Sequence, residues 1–186
     1  MKKRCDWTSS DELYIKYHDE EWGKPVRDDL KMFEFLLLEN FQAGLSWLTI
    51  LRKRENFRHA FDDFDYRKIA NYEQKKIDEL LENKGIVRNK MKIQAAIINA
   101  QKFMEVQKEF ESFCNYIWEF TNGQPIVNQW KTIKEVPAST ELSDRISKDL
   151  KKRGFKFVGT TIVYAHLQAT GIVNDHLVDC FCYPKK

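Results

Sequence analysis

A chain of 186 residues can bury a substantial core, and its 42% apolar content is ordinary for a folded protein, which excludes disorder as a description of the whole. The formal charge of +3 is too small to identify a polyanionic partner by itself, and no stretch approaches the roughly 20 apolar residues of a membrane span. The N-terminus lacks the apolar core of an export signal, so Cys5, Cys114, Cys180 and Cys182 are expected as reduced thiols or metal ligands in a soluble cytoplasmic protein.

In chain order, Ser9 and Glu12 stand at capping-box spacing before a short helix on which Tyr14, Tyr17 and His18 share one face. Trp22 and Gly23 close it, Pro25 opens a turn, and Asp28 and Asp29 begin the next helix. The stretch MFEFLLLENFQAGLSWLTILRKR, residues 32 to 54, is the centre of the chain. Its first half is apolar almost all the way round, as in a helix buried in a core, yet Glu39 interrupts it. Met32, Phe35, Leu36, Glu39 and Ala43 follow helical spacing, which places the carboxylate on an apolar stripe. Desolvating an unpaired carboxylate costs several kcal/mol, roughly, so Glu39 must be paired, protonated, or facing a cavity that receives a polar partner. The plainer alternative is a helix-end carboxylate that reaches solvent. Gly44 breaks the run, and Ser46 caps a second helix carrying Trp47, Ile50 and Leu51.

FDDFDYRKIA and YEQKKIDELLENKG read as two short helices, the second ended by Gly85, and a long helix follows from Ile86 to Glu109 with Met91, Ala95, Ile98 and Lys102 on one ridge. FESFCNYIWEFTNG is an aromatic helix stopped by Gly123, and residues 124 to 140 read as an irregular crossing. No period-two alternation appears, so the fold class is all-α. Residues 143 to 171 then form helix, tight hairpin and helix, with Gly154 and Gly159 bracketing the turn. Such a turn presents backbone N–H groups to an anion such as a DNA phosphate, with Lys151, Lys152, Arg153 and Lys156 supplying positive potential. An ordinary helix connection with Gly154 as its C′ residue is the competing reading.

Cys5 and His18 at one end, with His176 and Cys180 at the other, make a Cys2His2 set suited to a closed tetrahedral zinc site. The twelve residues between Cys5 and His18 are not a diagnostic spacing, and Cys182 competes with Cys180. His59 and His166 read as structural.

Five segments together resemble the bacterial 3-methyladenine DNA glycosylase I family, within the helix-hairpin-helix glycosylase superfamily: RCDWTSSDELYIKYHDEEWGKP, LLLENFQAGLSWLTILRKRENFR, KGIVRNKMKIQAAIINA, LKKRGFKFVGTTIVYAHLQATG and IVNDHLVDCFCYP. The resemblance runs in family order from Cys5 to Pro184. It implies one domain over residues 1–186 in two helical lobes, a base pocket between them, and the hairpin gripping duplex DNA through Gly154, Lys156, Gly159, Thr160 and Thr161. It further implies one structural zinc on Cys5, His18, His176 and Cys180, with no organic cofactor. Glu39 would be the pocket carboxylate and the catalytic residue, recognising the base first, with stabilisation of an oxocarbenium-like sugar and positioning of water as its alternative role. Tyr17 and Trp47 would sandwich the excised base, supported by Trp7, Tyr14 and Trp22, while Gly44 and Leu45 fill the gap left by the flipped nucleotide. Where most of the superfamily carries a catalytic aspartate, this chain has Asn174, with Asp175 displaced by one residue.

The implied activity is monofunctional hydrolysis of the bond between 3-methyladenine and deoxyribose, by a monomer that needs no protein partner and no membrane. N3-alkylation makes the base cationic and the bond labile, so the protein's harder task is selection, by aromatic faces and a carboxylate. The rival classes are a zinc-stabilised DNA-binding module without catalysis and a helical interaction protein whose aromatics are all core. Neither gives Glu39 or Trp47 a task.

Overall fold

The structure is a computed structural model that describes residues 2–184. It is mainly helical: α1 (Glu12–Glu20), α2 (Asp29–Gln42), α3 (Trp47–Ala60), α4 (Tyr66–Ile69), α5 (Gln74–Glu82), α6 (Lys90–Phe110), α7 (Phe113–Glu119), α8 (Glu141–Lys152) and α9 (Thr160–Ala169). Two short segments, β1 (Ile126–Val127) and β2 (Val173–Asn174), pair in parallel. Among the described residues no helix is long and apolar enough to cross a membrane.

Helix α2 starts where its sequence says it should, with the Asp28 side chain accepting from Lys31 N–H at 2.7 Å. Every residue from Met32 to Phe41 is buried, because α3, α6, α7 and α9 all pack around it. Two carboxylates are carried inside with the apolar residues, and they are treated differently. Glu34 receives Arg54 Nε at 2.8 Å and an Arg58 guanidinium nitrogen at 3.0 Å. Arg54 also grips Glu21 with two 2.8 Å bonds, so one guanidinium joins the end of α1 to α2 and α3. Burial works against the Glu21 charge, but Arg54 and Lys31 outweigh it and hold the carboxyl down at about 2. Glu39 receives no such partner.

Several expected boundaries move. Asp11, not Ser9, caps α1, because the Ser9 hydroxyl accepts from Asp11 N–H and leaves the cap position to the carboxylate. The first short helix is broken: Asp62, Asp63 and Phe64 have φ of 49°, 58° and 59°, a left-handed turn ahead of a four-residue α4. Helix α5 ends at Glu82, ahead of Gly85, and α6 starts at Lys90 because the Asn89 side chain captures Lys92 N–H at 3.1 Å. The core face of α6 is Ile93, Ala96, Ala100 and Phe103; Met91 on the expected ridge is 67% exposed. The crossing segment 124–140 contains β1 and a 3-10 turn at Ile133–Glu135.

Candidate functional site

A cavity of about 390 Å³ opens beside the middle of α2, and Glu39 is on its wall. Tyr14 and Tyr17 reach it from α1, Trp47 from the first turn of α3, and Trp7 and Trp22 from the segments flanking α1. All six residues expected around the base therefore share one cavity. Glu39 is 4% exposed, and no hydrogen bond or ion pair among the described residues engages its carboxyl group. Burial alone raises it from 4.5 to about 8, so the empty pocket favours the neutral acid at neutral pH. The indole N–H groups of Trp7 and Trp47 are also buried without an acceptor. An unpaired acid and two unpaired donors are what a protein leaves open for a polar ligand, since each costs free energy while empty.

The aromatic geometry corrects one expectation. Tyr17 and Trp47 lie 5.3 Å apart between ring centroids and are tilted by 53°. A flat base held between parallel rings needs them about 7 Å apart, twice a van der Waals contact. The two rings are thus adjoining walls of the cavity that meet at an angle. Trp7 stands edge-on to Tyr14 at 5.3 Å and to Trp22 at 4.9 Å, which locks the wall behind Tyr17.

Helix α2 runs out beside this cavity into an exposed tip. Gly44 has φ +81°, a conformation that disfavours any L side chain, and a Cβ there would meet nothing within 4 Å. Leu45 follows, 41% exposed, and Ser46 caps α3 through Thr49 N–H at 3.2 Å. From the other side of the tip, the buried Lys92 ammonium donates to the carbonyls of Phe41 at 2.8 Å and Ala43 at 2.6 Å.

The hairpin closes as the ordinary helix connection does. Gly154, φ +95°, donates to the Lys151 carbonyl, and Phe155 N–H reaches back to the Leu150 carbonyl, with both side chains of that second pair buried. That is a Schellman ending to α8. The turn then passes Phe157 at φ +53° and enters α9 at Gly159, which offers no capping side chain to the first-turn N–H groups. Thr161 and Lys156 are exposed, and Thr160 is partly covered because its hydroxyl meets Ser143 at 2.8 Å. The basic cluster is smaller than its sequence suggests, since Arg153 is bound to Glu109 and Asp149.

The four residues Cys5, His18, His176 and Cys180 come together although they lie at opposite ends of the chain. All are buried, and their ligand atoms lie within 4.8 Å of one another. The Cys180 sulfur is 3.4 Å from His18 Nε2 and 3.6 Å from His176 Nδ1; the Cys5 sulfur is 3.5 Å from His176 Nδ1. The remaining ring nitrogens are taken, His18 Nδ1 by Asp19 at 2.8 Å and His176 Nε2 by the Trp22 carbonyl at 3.0 Å. Asp19 is in turn clamped by Arg4. Burial lowers both imidazoles, His176 to about 4, so each is neutral at pH 7 with a lone pair aimed inward. Backbone N–H groups of Leu177 and Cys182 point at the two sulfurs, each at 3.4 Å. This group can bind a metal ion. Cys182 lies outside it, with its sulfur 4.0 Å from the His18 carbonyl.

Residues 7–183 match the family model described as Methyladenine glycosylase. The chain is 52% identical over 182 residues to the DNA-3-methyladenine glycosylase 1 of Escherichia coli (strain K12), covering 98% of this chain and 97% of that one. The chain belongs to the methyladenine glycosylase family. It also superposes on a crystal structure of a 3-methyladenine DNA glycosylase I with a TM-score of 0.95 at 51% identity, covering 98% of this chain and 100% of the other. A Staphylococcus aureus structure concerned with 3-methyladenine recognition matches with the same TM-score at 37% identity, covering 98% and 97%.

Within this family member, the pocket includes residues that reading the sequence did not single out. Gln42 lies one turn beyond Glu39 on the same face of α2, and its spacing could have revealed it. Ala165 and Gln168 come from α9, and Ile133, Val136 and Pro137 from the crossing segment, where no local pattern marks them. Asp175 is buried and accepts from Asn128, Trp130, Tyr164 and Gln168, so four donors already occupy its oxygens. Asn174 holds the Gly23 carbonyl at 3.1 Å and caps His176 N–H at 3.2 Å, both structural tasks.

Proposed function

We propose that this chain is a DNA-3-methyladenine glycosylase whose selectivity resides in Glu39 and the aromatic corner around it. The observation that carries this reading is a buried carboxyl group without a partner, in an aromatic cavity, in a member of the methyladenine glycosylase family. With N3 methylated, the adenine is cationic and its C1′–N9 bond is weakened. That bond breaks, the electron pair stays with the departing base, water adds to C1′, and a proton is released. The base needs little protonation, so the protein contributes by extracting the nucleotide and holding the cation. Extraction from the stack costs a few kcal/mol, roughly, and less for a damaged base.

In this reading Tyr17 and Trp47 stabilise the cation by about 1 to 2 kcal/mol in a dry site, and Glu39 accepts from the exocyclic amine. A positive charge in the pocket draws the proton from Glu39 and pairs the resulting carboxylate. Neutral adenine gives no such compensation, so it meets either a protonated acid with no acceptor to offer or an isolated charge. Asp175, fully occupied by its own donors, is a structural residue here.

The fold supports a single two-lobed domain of the helix-hairpin-helix type, with α8, the hairpin and α9 gripping the backbone of duplex DNA. Gly154, Lys156, Gly159, Thr160 and Thr161 supply N–H groups and positive charge, and Gly44 and Leu45 occupy the gap left by the flipped nucleotide. The donor set fits zinc: tetrahedral bonds of about 2.3 Å to sulfur and 2.0 Å to nitrogen give S···N edges near 3.5 Å, against the 3.4 to 3.6 Å found. Such an ion would be structural, joining the two ends of the chain, because four protein ligands leave no open position. The protein acts as a soluble cytoplasmic monomer in this scheme.

The direct test incubates the purified protein with methylated duplex DNA and measures released 3-methyladenine by chromatography. Release is expected. DNA binding without release would leave a binding module, and neither would reject the reading.

A further inference from the structure

We propose that α6 is a ruler that sets the DNA-insertion tip in register with the phosphate-gripping hairpin, with Lys92 and Asn99 as its two positioning residues. The inference deepens the glycosylase reading above and rests on it. Lys92 and Asn99 are seven residues apart on α6, so they share one face about 10.5 Å apart along the axis. They are buried, at 6% and 2% exposure, and neither touches the base cavity. Each spends its polar atoms on the backbone of a different segment. Lys92 holds the Phe41 and Ala43 carbonyls immediately before Gly44 and Leu45. Asn99 accepts from Lys156 N–H at 2.7 Å and donates to the Lys156 carbonyl at 3.0 Å.

The chemistry of Lys92 argues that this is its purpose. A buried ammonium with no carboxylate beside it is a cost that a leucine or methionine would avoid. What it gains is the open carbonyls at the end of α2, where the helix dipole favours a cation and no N–H continues the ladder. Asn99 likewise answers a local need. Its paired bonds fix Lys156 on the threshold of Phe157, whose φ of +53° a non-glycine residue keeps only when its surroundings hold it. Each segment has an exposed part, Gly44 to Ser46 in the tip and Lys156 between the buried Phe155 and Val158 in the hairpin; fastening both to one rigid helix fixes the distance between inserted leucine and gripped phosphate. Extraction of a nucleotide needs that distance, whereas binding a free base does not.

The experiment compares excision from methylated duplex DNA with affinity for free 3-methyladenine, measured by tryptophan fluorescence. Lys92→Met and Asn99→Leu are each expected to lower kcat/KM on the duplex by roughly tenfold to a hundredfold. Free-base affinity should stay within about twofold of wild type. The double variant should fall little below the poorer single variant, since register lost at one fastening is already lost. Lys92→Arg, which keeps a donor, should recover most of the duplex activity. Should Lys92→Met fail to fold, Asn99→Leu and Asn99→Asp carry the same comparison, with Asn99→Asp keeping the acceptor and losing the donor. Unchanged duplex excision, base affinity falling in step with excision, or losses that multiply in the double variant would each overturn the ruler. A wild-type protein that releases no 3-methyladenine would instead reject the glycosylase reading beneath it.

Discussion

Tyr17 and His18 are consecutive on α1, yet they enter two buried polar clusters built on opposite plans. Around His18 the polar atoms that face away from the cluster's centre are spoken for, imidazole to carboxylate, carboxylate to guanidinium, sulfur to backbone N–H, and the four inward atoms face one another. Around Tyr17 the polar atoms are left open, with Glu39 unpaired and two indole N–H groups orphaned. Burial costs both clusters alike, so the difference lies in what completes them. In the proposed scheme the Cys2His2 group is finished by one ion that joins the two ends of the chain, and the pocket only by a ligand that comes and goes.

The strongest way to break the comparison is to remove the sulfurs. The Cys5→Ala, Cys180→Ala double variant should lose its zinc by elemental analysis and lose on the order of 5 kcal/mol of stability in urea unfolding. A variant that unfolds at the wild-type midpoint would show that the cluster completes itself without a metal.

Glu39→Gln tests the open side with the opposite sign. Burial raises the folded-state value from 4.5 to about 8, so the folded chain binds this proton more tightly than the unfolded chain does. The associated stability is fully present below pH 4.5 and is lost as pH rises to about 8, at up to ~1.4 kcal/mol per pH unit. Subtracting the unfolding free energies of the variant from those of wild type across pH 5 to 8 isolates that slope. The variant should therefore be the more stable protein at pH 8 while binding free 3-methyladenine about tenfold more weakly. Equal affinity in a fluorescence titration would remove Glu39 from recognition.

Glu39 was visible in the sequence because a carboxylate at a core position of α2 violates a strong local pattern, and Asp28 and Ser46 were visible because caps are local chemistry. The metal ligands could be named as a set, but their spacing was silent, since the two ends meet only through the folded core. The far wall of the pocket, Ile133 to Pro137, carries no period at all, and Lys92 reads as an ordinary polar helix residue. Its acceptors are backbone carbonyls some fifty positions away, and a carbonyl has no letter in a sequence. The tilt between Tyr17 and Trp47 belongs to the same class, set by packing of α1 on α3.

A smaller effect sharpens the finished side. Asp19→Asn keeps the shape beside His18 but removes the charge that orients its ring, so zinc affinity should fall by roughly tenfold to a hundredfold in chelator competition. The pocket should be indifferent to this change, because Asp19 does not line it. A parallel loss of base affinity would mean that α1 transmits strain between the two clusters.

The smallest effect concerns Cys182, which shares a second possible grouping with His18 and Asp19. Its thiol, pushed up to about 11 chiefly by burial, is a poor thiolate, and its own N–H already serves the Cys180 sulfur. His18 cannot face two ions, because Nε2 points toward Cys180 while Nδ1 is held by Asp19. Cys182→Ser should thus leave one zinc per chain and shift stability by no more than about 0.5 kcal/mol. If zinc content fell instead, the ligand set would have to include Cys182, and the neat division between a completed cluster and an open one would fail at the completed end.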